Sequence, residues 1–87
     1  MYASIRFTNN EVIIIWENDE ITTFSKVSTE GKTFTQQNKV KITGNELLGL
    51  SNAIMNAIMG FEYFQASSQN DTIYRTSAIV EIHDIKP

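Results

Sequence analysis

Cysteine is absent from these 87 residues, histidine occurs once and glycine four times. Without cysteine there is no disulfide framework, no thiol nucleophile and no thiolate metal site, which fits a reducing, cytoplasmic setting. The lone His83 lies near the chain end with Glu81 and Asp84. A metal or general-base role needs partners that the sequence does not group with it, and an exposed strand position accounts for it. The glycines at 31, 44, 49 and 60 show no phosphate-loop spacing. No Ser-His-Asp set is supported by spacing alone. Glu17, Asp19 and Glu20 crowd one turn, where they could bind a cation or act as acid and base, but a solvated hairpin tip has the same composition. A non-enzyme with no cofactor and no metal is expected.

Unbroken apolar runs of membrane-spanning length are missing too. Arg6 and Glu11 interrupt the apolar residues of the amino terminus, and no run reaches membrane-spanning length, so a soluble protein with no membrane partner is expected. Positive charge is scarce: seven Lys and Arg against ten Asp and Glu give a net charge of −3, and the pI is about 4.9. That argues against a surface that coats nucleic acid generally, since such binding draws its strength from Lys and Arg on phosphate. The length suits one domain over residues 1–87, which buries only about 60–65% of its unfolded surface. No repeat, linker or low-complexity tract divides it.

What is present is one long apolar stretch from Thr43 to Gln65, TGNELLGLSNAIMNAIMGFEYFQ, read as a helix. Thr43 followed by Glu46 forms a capping box, and Glu46 sits well in a positive first turn. At 100° per residue Leu47, Leu50, Ile54, Ala57, Ile58 and Phe61 share one stripe, widened by Leu48, Met55 and Met59. The remaining strip of Asn45, Gly49, Asn52, Asn56 and Gly60 is small and uncharged, whereas a helix with its back to water normally carries Lys and Glu there. Two interior glycines each cost about 1 kcal/mol against Ala, which a close backbone approach would explain. The expectation is a homodimer whose interface holds Gly49, Asn52, Ala53, Asn56 and Gly60. The alternative is that the C-terminal segment covers the same strip within one chain.

The rest reads as strand. Tyr2 to Thr8 alternates, with Ala3, Ile5 and Phe7 on one face. Asn9-Asn10 turns the chain tightly into Glu11. Glu11 to Glu17 contains VIIIW without alternation, so Trp16 can join either face. A turn at Asn18 to Glu20 leads to Ile21 to Thr29, Glu30-Gly31-Lys32 is a hairpin tip, and Thr33 to Ile42 follows with a candidate bulge at Gln36 to Asn38. After the polar run Ala66 to Asp71, Thr72 to Ile85 is a fifth strand. The fold class expected is α+β: an antiparallel four-stranded meander, one long helix packed on one sheet face, and a C-terminal strand.

If Ile5, Ile21, Val40 and Ile42 face the helix, then Arg6, Phe24, Lys26, Lys39 and Lys41 face away, cations interleaved with a ring. Proteins that hold single strands without reading sequence combine a basic groove with aromatic faces. Ordinary half-exposed sheet also carries Lys and aromatic residues.

Strands ending in Lys39-Val40-Lys41-Ile42-Thr43, followed at once by a helix with an uncharged back, resemble the positive-cofactor-four and Whirly group of single-stranded DNA-binding proteins. The resemblance covers roughly residues 3 to 60. Glu11 to Glu17 is similar to that group's hydrophobic second strand, with Ile15-Trp16-Glu17 at the place of an Ile-Arg-Glu-like step. It implies small four-strand-plus-helix units paired through their helices. It further implies phosphate contacts from Lys39 and Lys41, with Arg6 and Lys26 beside them and Phe24 or Trp16 as a stacking ring. The function expected is non-sequence-specific binding of single-stranded DNA or RNA by a homodimer, in the manner of a small phage or accessory replication protein. The alternative, from a different class, is a small inhibitor or adaptor that offers its sheet edge or acidic surface to a host protein.

Overall fold

The structure, a computed structural model, describes residues 1–69 and 71–85, and all of their side chains except those at 27–29, 32–34 and 36. Strand β1 (Tyr2–Phe7) alternates as the sequence predicts, burying Ala3, Ile5 and Phe7 and turning Tyr2, Ser4 and Arg6 outward. Asn10 takes φ +68°, and the Asn9 side chain accepts the Glu11 amide at 2.9 Å, the local bonding that suits Asn to tight turns. Strand β2 (Val12–Trp16) returns antiparallel to β1. Its unbroken apolar run resolves by parity: Ile13 and Ile15 enter the core, while Val12 and Trp16 point away, about half exposed.

The meander stops there, because β2 and β3 (Glu20–Thr29) belong to different sheets. The acidic turn between them is a crossing point rather than a hairpin. Asn18 adopts φ +75°, the Asp19 carboxylate accepts the Trp16 amide at 2.9 Å, and backbone bonds of 2.8 Å join Asn18 and Asp19 to Ile42. Strand β3 then pairs with β4 (Lys32–Lys41) through Glu30 and Gly31, whose φ values of +53° and +77° are the paired positive angles of a tight primed turn. Register runs unbroken from Glu20 opposite Lys41 to Thr29 opposite Lys32, so the bulge expected at Gln36 to Asn38 does not form.

The expected long helix is also corrected. Helix α1 is the eight-residue segment Ser51–Ile58. Gly49 (φ +69°) and Gly60 (φ +85°) stand outside its two ends, where glycine supplies left-handed turns at no steric cost. The Thr43–Glu46 capping box is not its start. Asn45 Oδ1 accepts the amides of Leu47 and Leu48 at 3.0 and 2.6 Å, and the first amides of α1 turn to Asp84, on a distant strand.

Beyond Gly60 the chain re-enters the second sheet as β5 (Tyr63–Ala66), antiparallel to β3. The expected fifth strand divides into β6 (Tyr74–Arg75), a short turn at Thr76–Ala78, and β7 (Ile79–Ile85), which crosses back to pair with β1. The described residues therefore form seven strands in two antiparallel sheets, ordered β2-β1-β7 and β4-β3-β5-β6, with one short α-helix. The inner faces and α1 share a core of Ala3, Ile5, Ile15, Ile21, Ile42, Leu50, Ile54 and Phe64 among others. Stacked rings of Phe7, Phe64 and Tyr74, with centroids 4.8 to 6.2 Å apart, join the two sheets. Among the described residues no helix is long and apolar enough to cross a membrane.

Candidate nucleic-acid interface

The outer face of the second sheet follows from parity and register. Ile21 and Thr23 of β3 are buried, so Glu20, Thr22, Phe24 and Lys26 look outward. Cross-strand partners lie on the same face of a sheet. Lys41 stands opposite Glu20, Lys39 opposite Thr22, Gln37 opposite Phe24 and Thr35 opposite Lys26. On the other flank Phe24 faces Tyr63, and Tyr63 in turn faces Arg75. One row, Gln37–Phe24–Tyr63–Arg75, thus crosses all four strands. Phe24 and Tyr63 are half-buried, and Lys26, Lys39, Lys41 and Arg75 are exposed around them.

This face is positive on a chain whose net charge is −3. Among its described strand residues the one carboxylate is Glu20, whose Oε2 lies 3.8 Å from Lys39 Nζ. The Arg75 guanidinium carbon sits 5.8 Å from the Tyr63 ring centroid, within cation–π range.

Of the six residues expected to meet nucleic acid, the structure brings Phe24, Lys26, Lys39 and Lys41 together. It separates Arg6 and Trp16, which lie on the outer face of the first sheet. Arg6 Nε is 3.3 Å from Glu81 Oε1. Trp16 is 51% exposed and rests on Tyr2, with centroids 4.6 Å apart. Sequence reasoning missed Tyr63 and Arg75 because it assigned Tyr63 to the helix. The alternation of Tyr63-Phe64-Gln65-Ala66 is the signal that could have placed Tyr63 on a sheet; Arg75, in a two-residue strand, has no local signal.

The residues expected at a helix–helix interface do not form one helical strip. Asn52 and Asn56 are exposed on α1 and Ala53 packs against the core, while Gly49 and Gly60 belong to the flanking turns. Gly49 has its own steric reason to be glycine: a Cβ there would collide with the Asp84 carboxylate.

That carboxylate is the other organised polar site. Asp84 Oδ1 accepts the amides of Leu50 and Ser51, both at 2.8 Å, and Oδ2 accepts the Ser51 hydroxyl at 2.7 Å. Burial pushes the Asp84 carboxyl up, but the Ser51 hydroxyl and the two amides, helped by nearby His83, outweigh it and hold the group below its ordinary value. The site is a helix cap supplied from β7, and its polar groups serve structure.

No family model, curated protein or solved structure matches this chain. The candidate interface accordingly rests on its own geometry.

Proposed function

We propose that the protein binds single-stranded DNA or RNA without sequence preference through the outer face of the sheet β4-β3-β5-β6. The observation that carries this reading is the register that gathers Lys26, Lys39, Lys41 and Arg75 around Phe24 and Tyr63 on an acidic chain. Phosphates attract the Lys ammonium groups, and unpaired bases can stack on the rings at about 1–3 kcal/mol each. The resemblance of the Lys39 to Thr43 segment to the positive-cofactor-four and Whirly group points to the same chemistry.

The reading includes pairing of two chains through α1. Support comes from the absence of any charged residue in Ser51–Ile58 and the exposure of Met55 (45%) and Met59 (64%) beside it. Light scattering at micromolar concentration distinguishes dimer from monomer.

The binding test is a titration of labelled oligo-dT and oligo-U at low and moderate salt. Binding that weakens with salt supports the proposal. Replacing both Lys39 and Lys41 with Ala should weaken every single-stranded sequence alike and flatten the salt slope by about 0.7 for each phosphate no longer neutralised. Binding no better than buffer controls at low salt refutes it. In that event the adaptor reading takes its place, favoured by Leu47, 95% exposed, and by a cleft of about 560 Å³ that it lines with Met1, Glu17, Leu48 and Ile85.

A further inference from the structure

The two rings of the proposed interface have a geometry that defines what they can hold. Phe24 and Tyr63 are register partners on neighbouring strands, so their Cβ atoms are about 4.5–5.5 Å apart and both point off the same face. Bases within a duplex follow one another at about 3.4 Å per strand, closer than adjacent strands of a sheet, which lie about 4.8 Å apart. Two successive bases lying flat on these two rings must therefore be unstacked from each other. A duplex, whose bases cover one another, has no faces to offer.

The cations flank this pair on both sides. Along β3, Lys26 lies beyond Phe24 in one direction, and Lys39, opposite Thr22, lies in the other. The pair of rings is thus a base platform between two sets of phosphate contacts. A nucleic-acid strand that lays successive bases on Phe24 and Tyr63 follows the row of rings and so crosses the β-strands, with Lys26 to one side of its path and Lys39 to the other.

Arg75 closes the row. Its guanidinium lies 5.8 Å from the centre of the Tyr63 ring and is exposed. A base held between ring and guanidinium needs two van der Waals separations, together about 7 Å. In the free protein the two are in cation–π contact, and the exposed guanidinium must swing outward by at least about 1 Å to admit a base between them. A planar guanidinium can stack on the base's second face, which an ammonium cannot.

Resting on the single-strand reading above, we propose that Phe24, Tyr63 and Arg75 form a two-base slot for unpaired nucleotides, with Arg75 clamping the base on Tyr63 from its open side. The ligand class is base-bearing, unstacked single strand, and polyanion alone does not satisfy it.

The experiment compares the full chain on four labelled probes of equal phosphate number at one salt concentration: oligo-dT, oligo-U, an abasic DNA strand and a DNA hairpin. The unaltered protein should bind oligo-dT and oligo-U at least about fivefold tighter than the abasic strand or the hairpin, the gain from stacking even one base. Because this arm uses no substitution, it does not depend on any variant folding. Binding of dT and abasic strands with equal affinity overturns the slot while leaving phosphate binding intact. Failure to bind any probe overturns both readings.

Arg75→Lys then isolates the clamp. If the guanidinium plane stacks, Arg75→Lys, which keeps the charge, should lose affinity for oligo-dT while its binding to the abasic strand falls less, and Arg75→Ala should lose at least as much on oligo-dT. If Arg75→Lys keeps the unaltered protein's affinity while Arg75→Ala loses it and flattens the salt slope, Arg75 is a phosphate contact and the clamp is wrong. Tyr63→Ala should reduce the preference for dT over the abasic strand to what Phe24 alone supplies, with circular dichroism confirming that the sheet is retained. Retention of the full preference in folded Tyr63→Ala overturns the role given to Tyr63.

Discussion

Asp84→Ala is the substitution that most directly tests how α1 is started. The carboxylate receives two backbone amides and one hydroxyl, at 2.7 to 2.8 Å. Loss of a side-chain cap costs about 0.5–2 kcal/mol, and a carboxylate near a helix N-terminus adds about 0.3–1 kcal/mol through the dipole. Asp84 is only half-buried, so water can replace part of what is lost, and about 2 kcal/mol is the expected total. Gly49 sharpens the test. Gly49→Ala drives a Cβ into the Asp84 carboxylate at a φ of +69°, and the left-handed angle alone costs about 1–2 kcal/mol. In an Asp84→Ala background the clash is gone and only the backbone cost remains, so the two changes must be non-additive. Urea titrations of the four proteins, followed by circular dichroism, measure both quantities. The pH dependence has a fixed sign. Asp84 titrates lower when folded than its ordinary value of about 3.9, so its contribution is complete above roughly pH 4 and is lost as pH falls through the depressed folded value. Asp84→Ala should remove that part of the acid limb. Unchanged stability in Asp84→Ala, or an equal cost of Gly49→Ala in both backgrounds, would refute the cap.

The same glycines explain which parts of the fold could be read from the sequence. Strand β1 was legible because Ala3, Ile5 and Phe7 alternate with polar residues, and its turn was legible because Asn9 and Asn10 are the residue types that bond locally and tolerate positive φ. The stretch from Thr43 to Gln65 misleads because its apolar residues fit a helical stripe almost everywhere, which a period argument cannot distinguish from a loop, a short helix and a buried strand in succession. Gly49 and Gly60 would be costs inside one long helix, whereas they mark the ends of a short one. The cap could not be seen locally, since Asp84 lies 33 residues from Ser51. For the site, parity along β3 and β4 was enough to place Phe24, Lys26, Lys39 and Lys41 on one face. It cannot reveal that β1 and β2 form another sheet, which takes Arg6 and Trp16 to a different surface. Tyr63 and Arg75 became visible only once β5 was seen to pair with β3.

Three further outcomes check these corrections. Thr43→Ala should leave stability within about 0.5 kcal/mol, as for other exposed positions, and a loss near 1 kcal/mol in chemical denaturation would restore the capping box. Gly60→Ala should cost about 1–2 kcal/mol from its φ of +85° alone, since a Cβ there meets nothing within 4 Å; no change in the denaturation midpoint would mean the turn is not left-handed. The last concerns Glu20, the acid on the positive face. Its carboxylate is 3.8 Å from Lys39 Nζ, with both side chains half exposed or more, so the pair stabilises the fold by no more than about 1 kcal/mol. The same carboxylate competes with phosphate for Lys39 and, from the opposite register position, for Lys41. Glu20→Gln should therefore tighten oligo-dT binding by about two- to fivefold at low salt, and the gain should fade toward 1 M salt, where the screening length is about 3 Å. Anisotropy titrations at several salt concentrations read both effects. Weaker or unchanged binding at low salt, or a gain that survives high salt, would mean that Glu20 and the two lysines do not share the nucleic-acid surface.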